Sequence, residues 1–314
     1  MKNFILGVSC FMMIALIVAL VFYEKQTDST KQGFDPTMEE QLLQNIPQTP
    51  QIEKLRPINN ERISYTLQKE QLNITFNQGK DWQTVPIDKE LLFNGEYIGN
   101  EQQLIDGSYI LTETRVAFLY SDGSNWENQT IHLLYSLDQG KTWENATVSE
   151  QYPTIRFRKV DFVTDTFGYV IISGDRTMSS ELSDVFLTFD GGKSWKETTN
   201  SGVTRLIYDG GFINESIGFL SYGTINPEAP DLYVTEDGGN SWHSAVVNIP
   251  ENYDRIFVSA EVPTIEGDHL AMLVNQGPNG DYLGGKVKGK FLSTDNGKTW
   301  EFSMEVNPDE TEAE

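Results

Sequence analysis

The side chains that could do chemistry in this 314-residue chain are carboxylates, arginines and a few tyrosines. Arg156 and Arg158, then Arg205, then Arg255 each fall where the chain runs into a short β-branched or aromatic segment. Guanidiniums converging in an otherwise acidic protein would hold a carboxylate or another anion. Each arginine also has an aspartate close in sequence, Asp161, Asp209 or Asp254, and simple ion pairing would use up the charge. His132, His243 and His269 are isolated and lack metal-ligand spacing. Asp122, Asp175 and Asp281 lie on acidic loops without the dense Asp-x-Asp ladder of a calcium site. Phosphate loops, dinucleotide fingerprints and nucleophile elbows are missing from the sequence, so neither a cofactor nor a metal is expected.

One group of aspartates recurs in a fixed phrase. Ser136-Leu-Asp138-Gln-Gly140-Lys-Thr142-Trp143 returns as Thr188-Phe-Asp190-Gly-Gly192-Lys-Ser194-Trp195, as Thr235-Glu-Asp237-Gly-Gly239-Asn-Ser241-Trp242 and as Ser293-Thr-Asp295-Asn-Gly297-Lys-Thr299-Trp300. A degenerate copy, Thr75-Phe-Asn77-Gln-Gly79-Lys-Asp81-Trp82, precedes them. Every residue type suits a chain reversal. A short carboxylate accepts turn N–H groups, glycine takes positive φ, hydroxyls satisfy local backbone, and tryptophan anchors the outgoing strand. A carboxylate spent on backbone N–H groups is poorly placed for acid–base work, so these aspartates read as structural. With Asn77 for Asp and Asp81 for the hydroxyl, the first turn is expected to be the weaker fastener.

The phrase resembles the Asp box, or bacterial neuraminidase repeat. Its central positions, 77, 138, 190, 237 and 295, step by 61, 52, 47 and 58 residues. Such periods, with strand-like text between turns, predict a β-propeller of four-stranded blades. Lys159–Val163, Gly168–Ile172 and Asp184–Thr188 read as strands, as do Leu206–Tyr208, Gly218–Ser221 and Asp231–Thr235 in the next unit. A second phrase, Phe162-Val-Thr-Asp165-Thr-Phe-Gly168-Tyr169 and Phe212-Ile-Asn-Glu215-Ser-Ile-Gly218-Phe219, resembles the first-hairpin signature of propellers related to photosystem II assembly and stability factors. The expected fold is an all-β propeller over residues 60–306, with five blades and six as the alternative.

Phe4 to Tyr23 is uncharged and long enough to cross a bilayer as a helix, and no small-x-small cleavage site follows it. Residues 1–23 are therefore expected to be a signal anchor, with Cys10, the only cysteine, inside it. The charges around it favour an extracytoplasmic propeller. Residues 24–59 carry prolines at 36, 47, 50 and 57 and read as a stalk, within which Met38–Ile46 is expected to form a short helix. Residues 307–314 form an acidic tail, expected to be disordered. A net charge of −23 argues against nucleic acid as a partner.

In such blades the Asp-box turns share one side with the first-hairpin turns. The longer loops, Asp122–Gln129, Gly174–Asp184, Thr224–Asp231 and Asn275–Lys288, occupy the other side with the four arginines. The resemblance to assembly factors, which use an arginine patch there, implies a non-catalytic module binding a protein or glycan ligand. The alternative is a sialidase-like exo-glycosidase. Sialidases resemble this chain in their Asp boxes, but they also use an Arg-Ile-Pro motif, three arginines, a Tyr–Glu pair and an acid/base aspartate. Arg62-Ile-Ser64 is a poor match to that motif, and nothing in the sequence pairs Tyr208 or Tyr282 with Glu261.

Overall fold

The computed structural model describes residues 54–96, 99–175, 177, 180–223 and 226–307, all but Lys54 in the unit that begins at Leu55. The expected anchor, the stalk helix and the acidic tail beyond Asn307 lie outside the described residues. Among the described residues no helix is long and apolar enough to cross a membrane.

Five successive β-meanders make up the described chain. The first has three strands, β1 (Ser64–Thr66), β2 (Gln71–Thr75) and β3 (Gln83–Asp88). A five-residue helix, α1 (Lys89–Phe93), leads to the second sheet: β4 (Tyr109–Leu111), β5 (Val116–Asn125), β6 (Asn128–Ser136) and β7 (Glu144–Tyr152). The third holds β8 (Ile155–Phe162), β9 (Gly168–Gly174), β10 (Leu182–Thr188) and β11 (Lys196–Glu197). The fourth holds β12 (Ile207–Phe212), β13 (Gly218–Tyr222), β14 (Asp231–Thr235) and β15 (His243–Ser244). The chain then adds β16 (Val246–Asn248), β17 (Ser259–Ala260), β18 (Thr264–Glu266), β19 (His269–Asn275), β20 (Lys288–Ser293) and β21 (Thr299–Val306). Among the described residues all pairings are antiparallel except one: β16 runs on from the fourth sheet and pairs in parallel with β21, at the outer edge of the fifth.

Strands with both faces buried explain how the sheets stack. Along β5, Val116, Phe118 and Tyr120 enter a core shared with Leu72, Ile74 and Val85 of the first sheet, whereas Ala117 and Leu119 face Val160, Val170 and Ile172 of the third. In β9 the alternation repeats, with Tyr169 and Ile171 turned to Ile207 and Leu220 of the fourth sheet. Phe219, Leu232 and Val234 then meet Met272, Val274, Phe291 and Trp300 of the fifth. Period-two side-chain direction is thus spent on two neighbours at once, the blade packing of a propeller. Among the described residues no such core joins the fifth sheet to the first. The far face of the fifth carries the ion-paired Lys288 and Lys290, and the far face of the first carries Asn73, Thr75 and Thr84.

The first-hairpin phrase has a steric reason. A Cβ on Gly168 would lie 2.5 Å from the Phe162 ring, and one on Gly218 would lie 2.6 Å from Phe212. Glycine is needed six residues after each phenylalanine because the ring folds back onto the start of the next strand.

Candidate binding site

The Asp-box turns close themselves. In the second sheet Ser136 Oγ donates to Asp138 (2.8 Å) and accepts from Gly140 N (2.8 Å), while Asp138 accepts from Thr142 N (2.8 Å) and Thr142 Oγ1 (2.7 Å). Asp190 and Asp237 accept the same set from Ser194 and Ser241, and Asp295 accepts from Thr299 N and Ser293 Oγ. Hydrogen bonds from Thr142 hold the Asp138 carboxyl down at about 2, and those from Ser194 hold Asp190 at about 2. The degenerate first turn keeps the backbone bond, with Asn77 Oδ1 accepting from Asp81 N, and reverses only the side-chain bond, with Asn77 Nδ2 donating to the Asp81 carboxylate. Two consecutive residues, not glycine alone, take positive φ. Gln78, Gln139, Gly191, Gly238 and Asn296 precede Gly79, Gly140, Gly192, Gly239 and Gly297 in that region, the demand of a primed hairpin turn. Trp143, Trp195, Trp242 and Trp300 each pack against a phenylalanine ring at 6.1 Å.

The four arginines each meet their own partners. Arg156 makes a two-pronged pair with Glu181, a residue 1 % exposed, and donates to Ile207 O (3.0 Å) in the next sheet. Arg158 is 2 % exposed and donates to Leu92 O (3.2 Å) and Asn94 O (2.7 Å), so burial lowers it to about 10. Arg205 grips Asp231 and donates to Tyr233 OH (3.2 Å). Arg255 lies 3.6 Å from Glu228 with its side chain 67 % exposed. The ion pairs of Arg156, Arg205 and Arg255 are thus to Glu181, Asp231 and Glu228, across the sheet or between sheets, in place of the aspartates nearest in sequence.

Sequence reasoning missed a fifth guanidinium. Arg115 is buried under the Asp-box side, donating to Gly191 O (2.9 Å) and Asp165 O (2.8 Å), with its charge 3.6 Å over the Phe162 ring. It ties the second sheet to both reversals of the third. Only the fold brings carbonyls 50 and 76 residues away to it, so spacing gave no signal.

Tyr208 and Glu261 do meet, through Asn275, whose Nδ2 donates to Tyr208 OH (2.8 Å) and Glu261 Oε1 (2.6 Å). Glu261 also accepts from Lys288 Nζ (2.6 Å). Burial raises the Tyr208 phenol, and nearby Glu261 and Asp209 push it the same way. Beside them Lys159 bridges to Asp209 (2.6 Å) across the innermost strands. Glu261 is thus held by Asn275 and Lys288, and Asn275 stands between its carboxylate and the Tyr208 phenol.

A cleft of about 330 Å³ opens between two of the long loops, lined by Asn226, Glu228, Arg255, Gln276, Asn279 and Tyr282. Asn279 Nδ2 reaches Asn226 Oδ1 (3.1 Å) from one loop to the other. Gln276 Nε2 holds its loop by donating to Tyr282 O (2.9 Å) and Val287 O (2.8 Å), and its own carbonyl is buried without a partner among the described residues. Tyr282 OH is fixed on Glu305 (2.8 Å), which also accepts from Tyr253. Asn226 and Arg255, which line the opening, take φ of 45° and 58°, so two non-glycine residues there hold a costly backbone.

The family model for the BNR/Asp-box repeat matches residues 134–145 and 291–302, and the turns at 188–195 and 235–242 share their geometry. The chain therefore carries BNR/Asp-box repeats. No curated protein matches it in sequence. Among solved structures it is similar to a GH43 enzyme from Xanthomonas citri complexed with xylotriose, at 8 % identity over 65 % of this chain and 72 % of that one, with a TM-score of 0.36. It is also similar to a family 117 glycoside hydrolase from Zobellia galactanivorans, at 11 % identity over 64 % and 69 %, with a TM-score of 0.38.

Proposed function

We propose that this chain is a non-catalytic binding module that takes a protein or glycan ligand in the cleft between the 226–228 and 276–282 loops. The observation that carries this reading is the strained, amide-lined cleft with the exposed Arg255 at its edge. Amides, a phenol and a guanidinium supply both donors and acceptors, the mixture that polar, hydroxyl- or amide-rich ligands need. Loops mounted on stacked sheets hold such groups in register. Against catalysis stand the paired arginines and the ion-paired Glu261. The reading includes an extracytoplasmic position behind the Phe4–Tyr23 segment, which the charges flanking that segment favour.

The test is a glycan and peptide array probed with the full chain, alongside Arg255→Ala and Asn279→Ala variants, with aryl glycosides and a fluorogenic sialoside assayed in parallel. Retained folding with loss of array binding in both variants is the expected result. Turnover of any glycoside, or array binding indifferent to both substitutions, would sink it.

A further inference from the structure

Five of the six tryptophans occupy the last position of an Asp-box phrase. Trp126 does not. It sits at the two-residue tip of the β5–β6 hairpin, 73 % exposed, beyond the Asn125–Asn128 pair. Its tip is held, since Trp126 O accepts from both Thr154 N (2.8 Å) and Thr154 Oγ1 (2.9 Å), and Asn125 Oδ1 accepts from Glu127 N (3.2 Å). A large indole on a fastened turn offers a flat apolar face and an N–H donor to a partner.

Beside it lies a cleft of about 170 Å³, lined by Asn94, Gly95, Gly123, Trp126, Gln129 and Thr154. Its floor is backbone and amide. Gly95 and Gly123 take φ of 149° and 147°, and a Cβ on Gly95 would collide with Arg158 Nη2 at 2.3 Å. Arg158, bonded to Asn94 O, therefore braces this floor from behind, and Asn94 is also tied to Ser121 through its side chain and carbonyl. Gln129 is 4 % exposed, with a carbonyl that has no partner among the described residues.

We infer that the Trp126 hairpin tip and this cleft form a site for one ring of a neutral oligosaccharide, the ring stacking on the indole and its hydroxyls meeting Asn94, Thr154 and Gln129. The chemistry selects this class. A lipid surface would want basic neighbours, whereas the tip carries Asn125, Glu127 and Asn128 with Asp122 nearby. A peptide anchor would want an apolar pocket, whereas this one is lined by amides and a hydroxyl. A chain of net charge −23 disfavours acidic sugars. The site lies on a different sheet from the loop cleft and stands or falls apart from it.

The test is calorimetric titration of the full chain, Trp126→Ala, Trp126→Phe and Arg255→Ala with xylohexaose, cellohexaose and chitohexaose, and with sialyllactose as the acidic control. At least one neutral hexasaccharide is expected to bind, weakened roughly tenfold or more in W126A and within about threefold of the parent in W126F. Thermal unfolding of W126A should match the parent. Binding of none of the neutral sugars at millimolar concentration overturns the proposal, as does affinity unchanged in W126A. Loss in R255A with no loss in W126A would place the sugar in the other cleft.

Discussion

The two sides of the sheet stack reverse the chain by opposite means. On the Asp-box side five turns repeat one set of hydrogen bonds within eight residues, so that even the Asn77–Asp81 copy keeps the backbone bond and exchanges donor and acceptor only between the side chains. On the long-loop side, among the described residues, the bonds reach across longer spans of chain. Arg156 finds Glu181 at 25 residues, Arg205 finds Asp231 at 26, and Gln276 pins its loop through two carbonyls. Self-contained turns make the scaffold insensitive to what the other side carries, and the long loops are thereby free to differ.

The largest effects should come where either side is buried, and they should be similar in size. Trp300 is fully buried in the core between the fourth and fifth sheets, with its indole N–H on Gly297 O (2.8 Å). Trp300→Ala is expected to cost about 3–5 kcal/mol, read from urea unfolding of the full chain. Glu181→Ala leaves Arg156, its side chain 12 % exposed, without its carboxylate, a loss of about 3–5 kcal/mol as well. A small effect of Glu181→Ala would mean the long-loop pairs are not structural, and the contrast drawn above would have to be moved to the surface.

That contrast also explains how far the sequence could be read. The five sheets and their reversals were legible because each Asp box carries its donors, acceptors and glycine in one window, and because Phe162 and Phe212 announce Gly168 and Gly218 six residues ahead. The arginines were legible as residues but not as contacts. Arg158 faces carbonyls of Leu92 and Asn94, and nothing near residue 158 encodes what lies 64 residues earlier. Arg115 was missed for the same reason. The loop cleft was half legible: the loops that form it stood out by length, yet the Asn226–Asn279 and Glu228–Arg255 juxtapositions arise only when the fourth sheet packs on the fifth. The first sheet held a different surprise, since β1 supplies a strand that its sparse hydrophobic pattern did not suggest.

A smaller effect should separate the two sides by pH. Hydrogen bonds from Ser194 lower Asp190 from 3.8 to about 2 in the folded chain. A depressed carboxyl contributes stability that is fully present above pH 3.8 and is lost as pH falls towards 2. In Asp190→Asn that dependence disappears, so the stability difference between parent and variant should shrink between pH 4 and pH 2 and stay constant above pH 5. The change in melting temperature at neutral pH is expected to be on the order of a few degrees. A difference that persists undiminished at pH 2 would mean the turn is held by shape rather than by the charged acceptor.

The smallest effects should appear at the exposed arginine. Arg255 and Glu228 are both mostly in water and 3.6 Å apart, a geometry in which screening and side-chain entropy consume most of the attraction. Arg255→Ala should change stability by about 0–1 kcal/mol. Arg205, half-buried against Asp231 and Tyr233, should lose more on the same substitution. The order matters because strain is stored at the first position: Arg255 holds φ of 58°, a conformation glycine takes more easily. Arg255→Gly should therefore be at least as stable as Arg255→Ala. If it is, the residue is kept there for its guanidinium and not for its backbone, and the cleft gains its charge at a conformational cost that only a ligand would justify.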